Sequence, residues 1–156
     1  MNLDELKNKF SEIKLLKNQP KDSDKKIIND LLSTLDINQF QNEIVEQNCW
    51  YGYRKDSIKK ISEFCEKTKL LNNKTADETL NNLLIDLSDS LEKFNYLASK
   101  VLYSDTEDYY TFNKGNPIEY DKAKNECPKV NEQSERSFKI LKEMIDYLKT
   151  KNYFEK

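Results

Sequence analysis

The stretch Lys74–Tyr103, KTADETLNNLLIDLSDSLEKFNYLASKVLY, decides the fold class. Within it Leu80, Leu84, Leu87, Leu91, Phe94, Ala98 and Val101 follow at steps of four, three, four, three, four and three. That spacing gathers seven apolar side chains on one face of an α-helix. Leu83, Leu97 and Leu102 broaden the stripe beyond a coiled-coil seam, as a helix facing a core requires. Thr75 and Glu78 read as a capping box at its start. At 1.5 Å rise per residue this helix runs about 40 Å and is the longest expected in the chain.

Outward from that helix the same period recurs. Upstream, Ile58, Ile61, Phe64 or Cys65, Thr68 and Leu71 form a stripe that Asp56 or Ser57 opens. The short polar link 70–74 then makes the two helices antiparallel neighbours. Residues 2–17 form a first helix with Leu3, Leu6, Phe10, Ile13 and Leu16 on one face, ended before Pro20. Ile27, Ile28, Leu31, Leu32 and Leu35 define a second, capped by Ser23 or Asp24. Asp36 or Asn38 caps a third piece with Ile37, Phe40, Ile44 and Val45. Gly52 breaks or bends the chain. Downstream, Tyr109–Phe112 and Pro117–Tyr120 flank the turn-prone residues 113–116, so 109–120 reads as a small β-hairpin or an irregular loop. Pro128 ends a helical turn at 121–126, and a last helix carries Phe138, Leu141, Met144 or Ile145, and Leu148. The expectation is an all-α, antiparallel bundle of five or six helices in one domain spanning 1–156.

Composition agrees. A chain of 156 residues can bury a core without staples. Two Gly and three Pro are too few for the turns of a sandwich, a barrel or a Gly-rich nucleotide fold. Asn, Lys, Ile and Tyr are abundant, as an AT-rich genome's codons favour, so lysine number carries no functional weight. The net charge of −2 argues against a generic polyanion binder. Three cysteines without a CxxC, and no histidine, give no zinc site and suggest reduced thiols in the cytoplasm. No apolar run follows Met1, so no leader is expected, and nothing approaches the ~18 apolar residues of a membrane span.

Charge is uneven. Residues 7–26 and 54–74 each hold seven bases against three acids, whereas 77–108 holds eight acids against two lysines. The outer side of the 75–103 helix is therefore acidic, with Asp86, Asp89 and Glu92 prominent. Either a basic neighbouring helix offsets that strip, or the strip faces a basic partner.

Three groups of residues carry candidate chemistry. Trp50-Tyr51-Gly52-Tyr53-Arg54 holds the residue types most enriched at binding hot spots, with Trp50 plugging the bundle and Tyr51, Tyr53 and Arg54 outward. Tyr109, Tyr110, Phe112 and Tyr120 lie in a connection longer than a bundle needs, near Lys114. They could stack single-stranded nucleic acid, but Asp105, Glu107, Asp108 and Glu119 oppose that. Finally, Glu43/Glu46, Glu63/Glu66 and Asp86/Asp89 each stand three residues apart on one helix face. This spacing resembles that of the all-α nucleotide pyrophosphohydrolases, where an ExxE pair precedes an ExxD pair. The resemblance would imply Mg²⁺ held by Glu63, Glu66, Asp86 and Asp89. Those four fall beside the apolar stripes, which makes this the alternative reading. Without histidine there is no Ser–His or Cys–His pair, and the two glycines form no phosphate-cradling loop.

The preferred expectation is a cytoplasmic protein-binding module without cofactor, of the stoichiometric-inhibitor kind (immunity protein, antitoxin, anti-defence factor), rather than an enzyme. Its partner is another protein, with nucleic acid disfavoured and no membrane. Its candidate contact residues are Trp50, Tyr51, Tyr53, Arg54, Asp86, Asp89, Glu92, Tyr109 and Tyr110.

Overall fold

The structure is a computed structural model that describes residues 2–154, the side chains at 11–18 and 104–105 excepted. In order it runs α1 (Leu3–Asn18), α2 (Asp22–Leu35), α3 (Ile37–Phe40), a π-helical turn (Gln41–Val45) and a 3₁₀ turn (Cys49–Tyr51). Then come β1 (Tyr53–Arg54), α4 (Lys55–Thr68), a 3₁₀ turn (Leu71–Asn73), α5 (Glu78–Ser99), β2 (Ser104–Asp105), β3 (Tyr109–Thr111) and α6 (Pro117–Thr150). The chain is an all-α bundle with one small antiparallel sheet. No helix among the described residues is long and apolar enough to cross a membrane.

The seven-residue stripe is buried throughout: Leu80, Leu84, Leu87, Leu91, Phe94 and Ala98 of α5, and Val101 just beyond its end, are each under 5% exposed. Burial of such side chains stabilises by about 1.5–3 kcal/mol each for the larger ones. Helix α5 packs on α4 on one side and α6 on the other, and α2 packs on α4. Helices α5 and α6 run antiparallel, because Asp77 at the start of α5 meets Tyr147 near the end of α6, while Ser90 meets Ser137 midway. Both serines of that contact are small, and Gln133 Nε2 adds hydrogen bonds to Ser90 O and Oγ at 3.0 Å each.

The structure differs from the sequence reading in several places. The longest helix is α6, with 34 residues, and Pro128 lies inside it. Its buried residues Ala123, Cys127, Val130, Ser134, Ser137, Leu141, Met144 and Leu148 alternate steps of four and three straight through the proline. One missing N–H at an exposed position is outweighed by that continuous buried face. Two of the eight are serines, which hides the stripe from an apolar count. Phe138 and Ile145 are only partly buried beside it. The hairpin is present, but its second arm is Ser104–Asp105 rather than Pro117–Tyr120. Asn116 Oδ1 accepts from the N–H groups of Ile118 and Glu119, and Pro117 takes the first helical position, so 117–120 starts α6.

The cap of α5 is Asp77, whose Oδ1 accepts from Leu80 N at 3.1 Å; Thr75 is instead held by Asn81. The α2 cap position is Lys21, and buried Asp24 accepts from Ala76 N at 3.0 Å, tying α2 to the start of α5. Asp36, at φ 55°, ends α2 and caps α3 through Gln39 N at 3.2 Å. The described residues of α1 add nothing to the core: Leu3, Leu6 and Phe10 are 54–74% exposed. The side chains of Ile13, Leu15 and Leu16 lie outside the described residues.

Candidate functional site

Two aromatic segments far apart in sequence meet at one end of the bundle. Strand β3 is the centre of the sheet, between β1 and β2. Its register sets Tyr53 opposite Tyr110 and Arg54 opposite Tyr109. Gly52 makes the crossing feasible. It sits at φ +78°, and a Cβ there would stand 2.5 Å from Tyr110 O. A side chain is excluded both by backbone conformation and by space.

Beside this ladder the 3₁₀ turn Cys49–Tyr51 packs on the first half of α6. Trp50, partly buried, meets Phe112 edge-on at 4.8 Å and Tyr120 at 5.2 Å between ring centroids. The Lys114 ammonium stands 5.3 Å from the Tyr51 ring and 5.7 Å from that of Trp50. Tyr51 is 66% exposed, while Tyr109 and Tyr120 are each 41% exposed. The outcome is a partly wet aromatic face with a cation over it, a geometry that favours contact with aromatic or polar partner groups.

Arg54 borders this face and is anchored from behind. Its Nη1 donates to Glu43 Oε1 at 3.1 Å, with half of the side chain exposed. Glu43 is the hub of a polar cluster. Gln39 Nε2 donates to Glu43 Oε2 at 3.0 Å, Asp56 Oδ2 at 2.9 Å and Ser57 Oγ at 3.1 Å. The Ser57 hydroxyl donates to Glu43 Oε2, and Lys60 donates to Gln39 Oε1. The Ser57 hydrogen bond chiefly, with Gln39 and Arg54 adding to it, holds the Glu43 carboxyl below its ordinary value. Nothing in sequence spacing marks Glu43 as the partner of Arg54, since the π-helical turn sets its direction. Together Asn42, Glu43, Gln47, Gly52, Arg54 and Tyr109 line a surface cavity of about 200 Å³.

The other expected site residues divide. Tyr53 is not on the surface: it is fully buried, 5.4 Å from the Phe94 ring, and its hydroxyl has no hydrogen-bond partner among the described residues. Burial first, then the Cys49 and Cys127 thiols, push its ionisation well above the ordinary tyrosine range. Tyr53 points inward because β1 alternates faces, which leaves Arg54 outward. Tyr110 is partly buried, with Lys55 Nζ 5.4 Å from its ring. In the acidic strip of α5, Glu92 is ion-paired with Lys69 at the end of α4. Asp86 and Asp89 are exposed and have no ion pair among the described residues. The strip is thus partly offset by the basic neighbour and partly free.

The four carboxylates of the alternative reading are not gathered into one cluster among the described residues. No group of three or more His, Cys, Asp or Glu among the described residues is placed to hold a metal ion. Glu63 and Glu66 are exposed, and Glu63 lies 3.9 Å from Lys59 on its own helix. The physical reason is that α4 and α5 meet through their apolar stripes, which turns the flanking carboxylates outward.

Fold and surface together define an all-α bundle with a small antiparallel sheet at an aromatic–arginine end and an acidic flank on α5. No protein-family model, curated protein or solved structure matches this chain.

Proposed function

We propose that the chain is a protein-binding module of the stoichiometric-inhibitor kind, like an immunity protein, antitoxin or anti-defence factor, and that it engages its partner through the aromatic end. One observation carries this reading: the β1–β3 ladder brings the 50–54 and 109–112 segments to one end of the bundle, with Arg54 opposite Tyr109 and with Trp50 against Phe112 and Lys114 over the Tyr51 ring. Large aromatics at low entropy cost, with a pre-anchored guanidinium, are what binding hot spots are built from. Glu43 holds Arg54 in place before any partner arrives, which lowers the ordering cost of contact. Asp86 and Asp89 offer a second, acidic contact that would speed association with a basic partner.

The test uses the full chain immobilised to recover its partner from the native cell, followed by calorimetry on the purified pair. Tyr51→Ala, Arg54→Ala and Tyr109→Ala are each expected to weaken binding about tenfold or more, as hot-spot truncations do. Asp86→Asn with Asp89→Asn is expected to slow association chiefly. Unchanged affinity after all three truncations, in a variant whose helical content is intact, would remove the aromatic end as the contact surface. Capture of RNA released by moderate salt would replace the protein partner with a nucleic acid.

A further inference from the structure

The buried thiols of Cys49 and Cys127 touch, with their sulfurs 3.0 Å apart, although the residues are 78 positions apart in sequence. Both are free, and both are under 5% exposed. A disulfide needs sulfurs about 2.05 Å apart, so an approach of about 1 Å closes the bond. The two backbones are already joined through one side chain. Cys49 N–H donates to Asn131 Oδ1 at 2.8 Å, and Asn131 Nδ2 donates to Asn48 Oδ1 at 3.0 Å. Asn131 lies one helical turn beyond Cys127 on α6. Trp50 N–H donates to the same Asn48 oxygen at 3.0 Å. The pair is therefore held in register at both ends.

Access exists from one side only. Cys127 lines an open cavity of about 220 Å³ with Asn48, Trp50, Lys124 and Asn131, whereas Cys49 is fully buried behind it. A molecule of roughly the size of water, with a share of liquid volume near 30 Å³, fits that cavity easily. The two thiols are also unequal. Cys127 is held below the ordinary thiol range by hydrogen bonding with Cys49, while Cys49 is pushed well above it, first by the Cys127 partner and then by burial. The sulfur that faces the cavity is the one an oxidant can reach, with the second sulfur directly behind it, which suits an attacking and a resolving thiol.

We propose that Cys49 and Cys127 form an oxidation site at which hydrogen peroxide converts the two thiols into an intramolecular disulfide, stapling the 3₁₀ turn 49–51 to α6. The Cys127 thiolate attacks one peroxide oxygen, the O–O bond breaks, and the released hydroxide takes up the proton that Cys127 gave up, leaving as water. Cys127 is left as a sulfenic acid. The Cys49 sulfur then attacks the Cys127 sulfur, the S–S bond forms, the S–O bond breaks, and the hydroxyl leaves as water with the Cys49 proton. Each sulfur is oxidised by one electron, and the peroxide is reduced to two waters. The consequence is mechanical: the segment bearing Trp50 and Tyr51 becomes covalently fixed to the helix behind it. This site does not depend on what the aromatic end binds.

The experiment treats the native full chain with hydrogen peroxide, alkylates under denaturing conditions and maps tryptic peptides. The expected product is two hydrogen atoms lighter, with peptide 27–54 linked to peptide 125–129 and Cys65 alkylated. Cys65, buried with its thiol directed at Ser88 O at 3.6 Å, serves as the internal control. The oxidised form is expected to melt about 5 °C or more above the reduced form, because the bond closes a long loop. In Cys49→Ser, a dimedone-trapped sulfenic acid is expected at Cys127. If that variant does not fold, the wild-type peptide map decides alone. Three alkylatable thiols after a treatment that oxidises the urea-unfolded chain would overturn the proposal. So would a link through Cys65, a link between two molecules, or a native-state product that melts no higher.

Discussion

The Tyr147 hydroxyl donates to Asp77 Oδ2 at 2.6 Å, joining the end of α6 to the start of α5 across 70 residues. Tyr153 donates to the same oxygen at 3.2 Å, while the other carboxylate oxygen caps α5. One side chain thus satisfies an orphan helix donor and two tyrosines. Asn152, at φ 61°, makes this reach feasible by turning the chain after α6, with Tyr153 N–H donating to Leu148 O at 2.9 Å. Asp77→Ala is expected to cost about 2–3 kcal/mol, the sum of a lost cap and unsatisfied hydroxyls, and Asp77→Asn less because it keeps the cap. Urea denaturation measures both. Equal stability of Asp77→Ala and wild type would refute the account.

The same contact has an alkaline signature. Burial first, and then the Asp77 hydrogen bond and charge, raise Tyr147 from 10.0 to about 12. A raised acid keeps its proton longer in the folded state, so its contribution is complete below pH 10 and is lost as pH climbs towards about 12. Wild-type stability is expected to fall in that window more steeply than that of Tyr147→Phe, measured by urea titration at stepped pH.

Acid stability turns on Glu43. Its folded-state value lies below the ordinary 4.5. Its contribution is present above that ordinary value and disappears as pH falls through the lower folded value. Glu43→Gln and Ser57→Ala are both expected to flatten the acid limb of the stability–pH curve. An unchanged limb in both would mean that the cluster contributes nothing to it.

Gly52→Ala tests the strand crossing. The new methyl meets the Tyr110 carbonyl in a left-handed backbone, so a loss of about 2 kcal/mol or more is expected. Tyr53→Phe should do the opposite. It removes a buried hydroxyl without a partner while keeping the ring against Phe94, so stability is expected to hold or to rise by up to about 1 kcal/mol. A clear loss in Tyr53→Phe would show that the hydroxyl is satisfied.

Pro128→Ala probes the long helix. Pro128 is exposed and costs α6 one hydrogen bond to the Lys124 carbonyl. Restoring the N–H is expected to raise the melting temperature by a few degrees, on the order of 1 kcal/mol. A lower melting temperature would mean that α6 needs its local distortion.

Local periodicity alone determined the helical class and the buried face of α5, because a helix's side-chain geometry repeats within a few residues and all seven stripe residues obey it. The aromatic content of 50–54 and 109–120 was also legible, since residue type is local. Which of those aromatics reach the surface was not. Tyr53 and Arg54 are neighbours in the chain and opposites in exposure, and only the pairing of β1 with β3 sets which faces inward. The same holds for Glu43 behind Arg54, for Cys127 against Cys49, and for Asp77 under two tyrosines. Each is a contact between segments whose separation carries no sequence period, so packing alone brings them together. Helix α6 shows the limit from the other side: its period was present, but two serines stood where a sequence count looks for apolar residues, and an exposed proline read as a helix end.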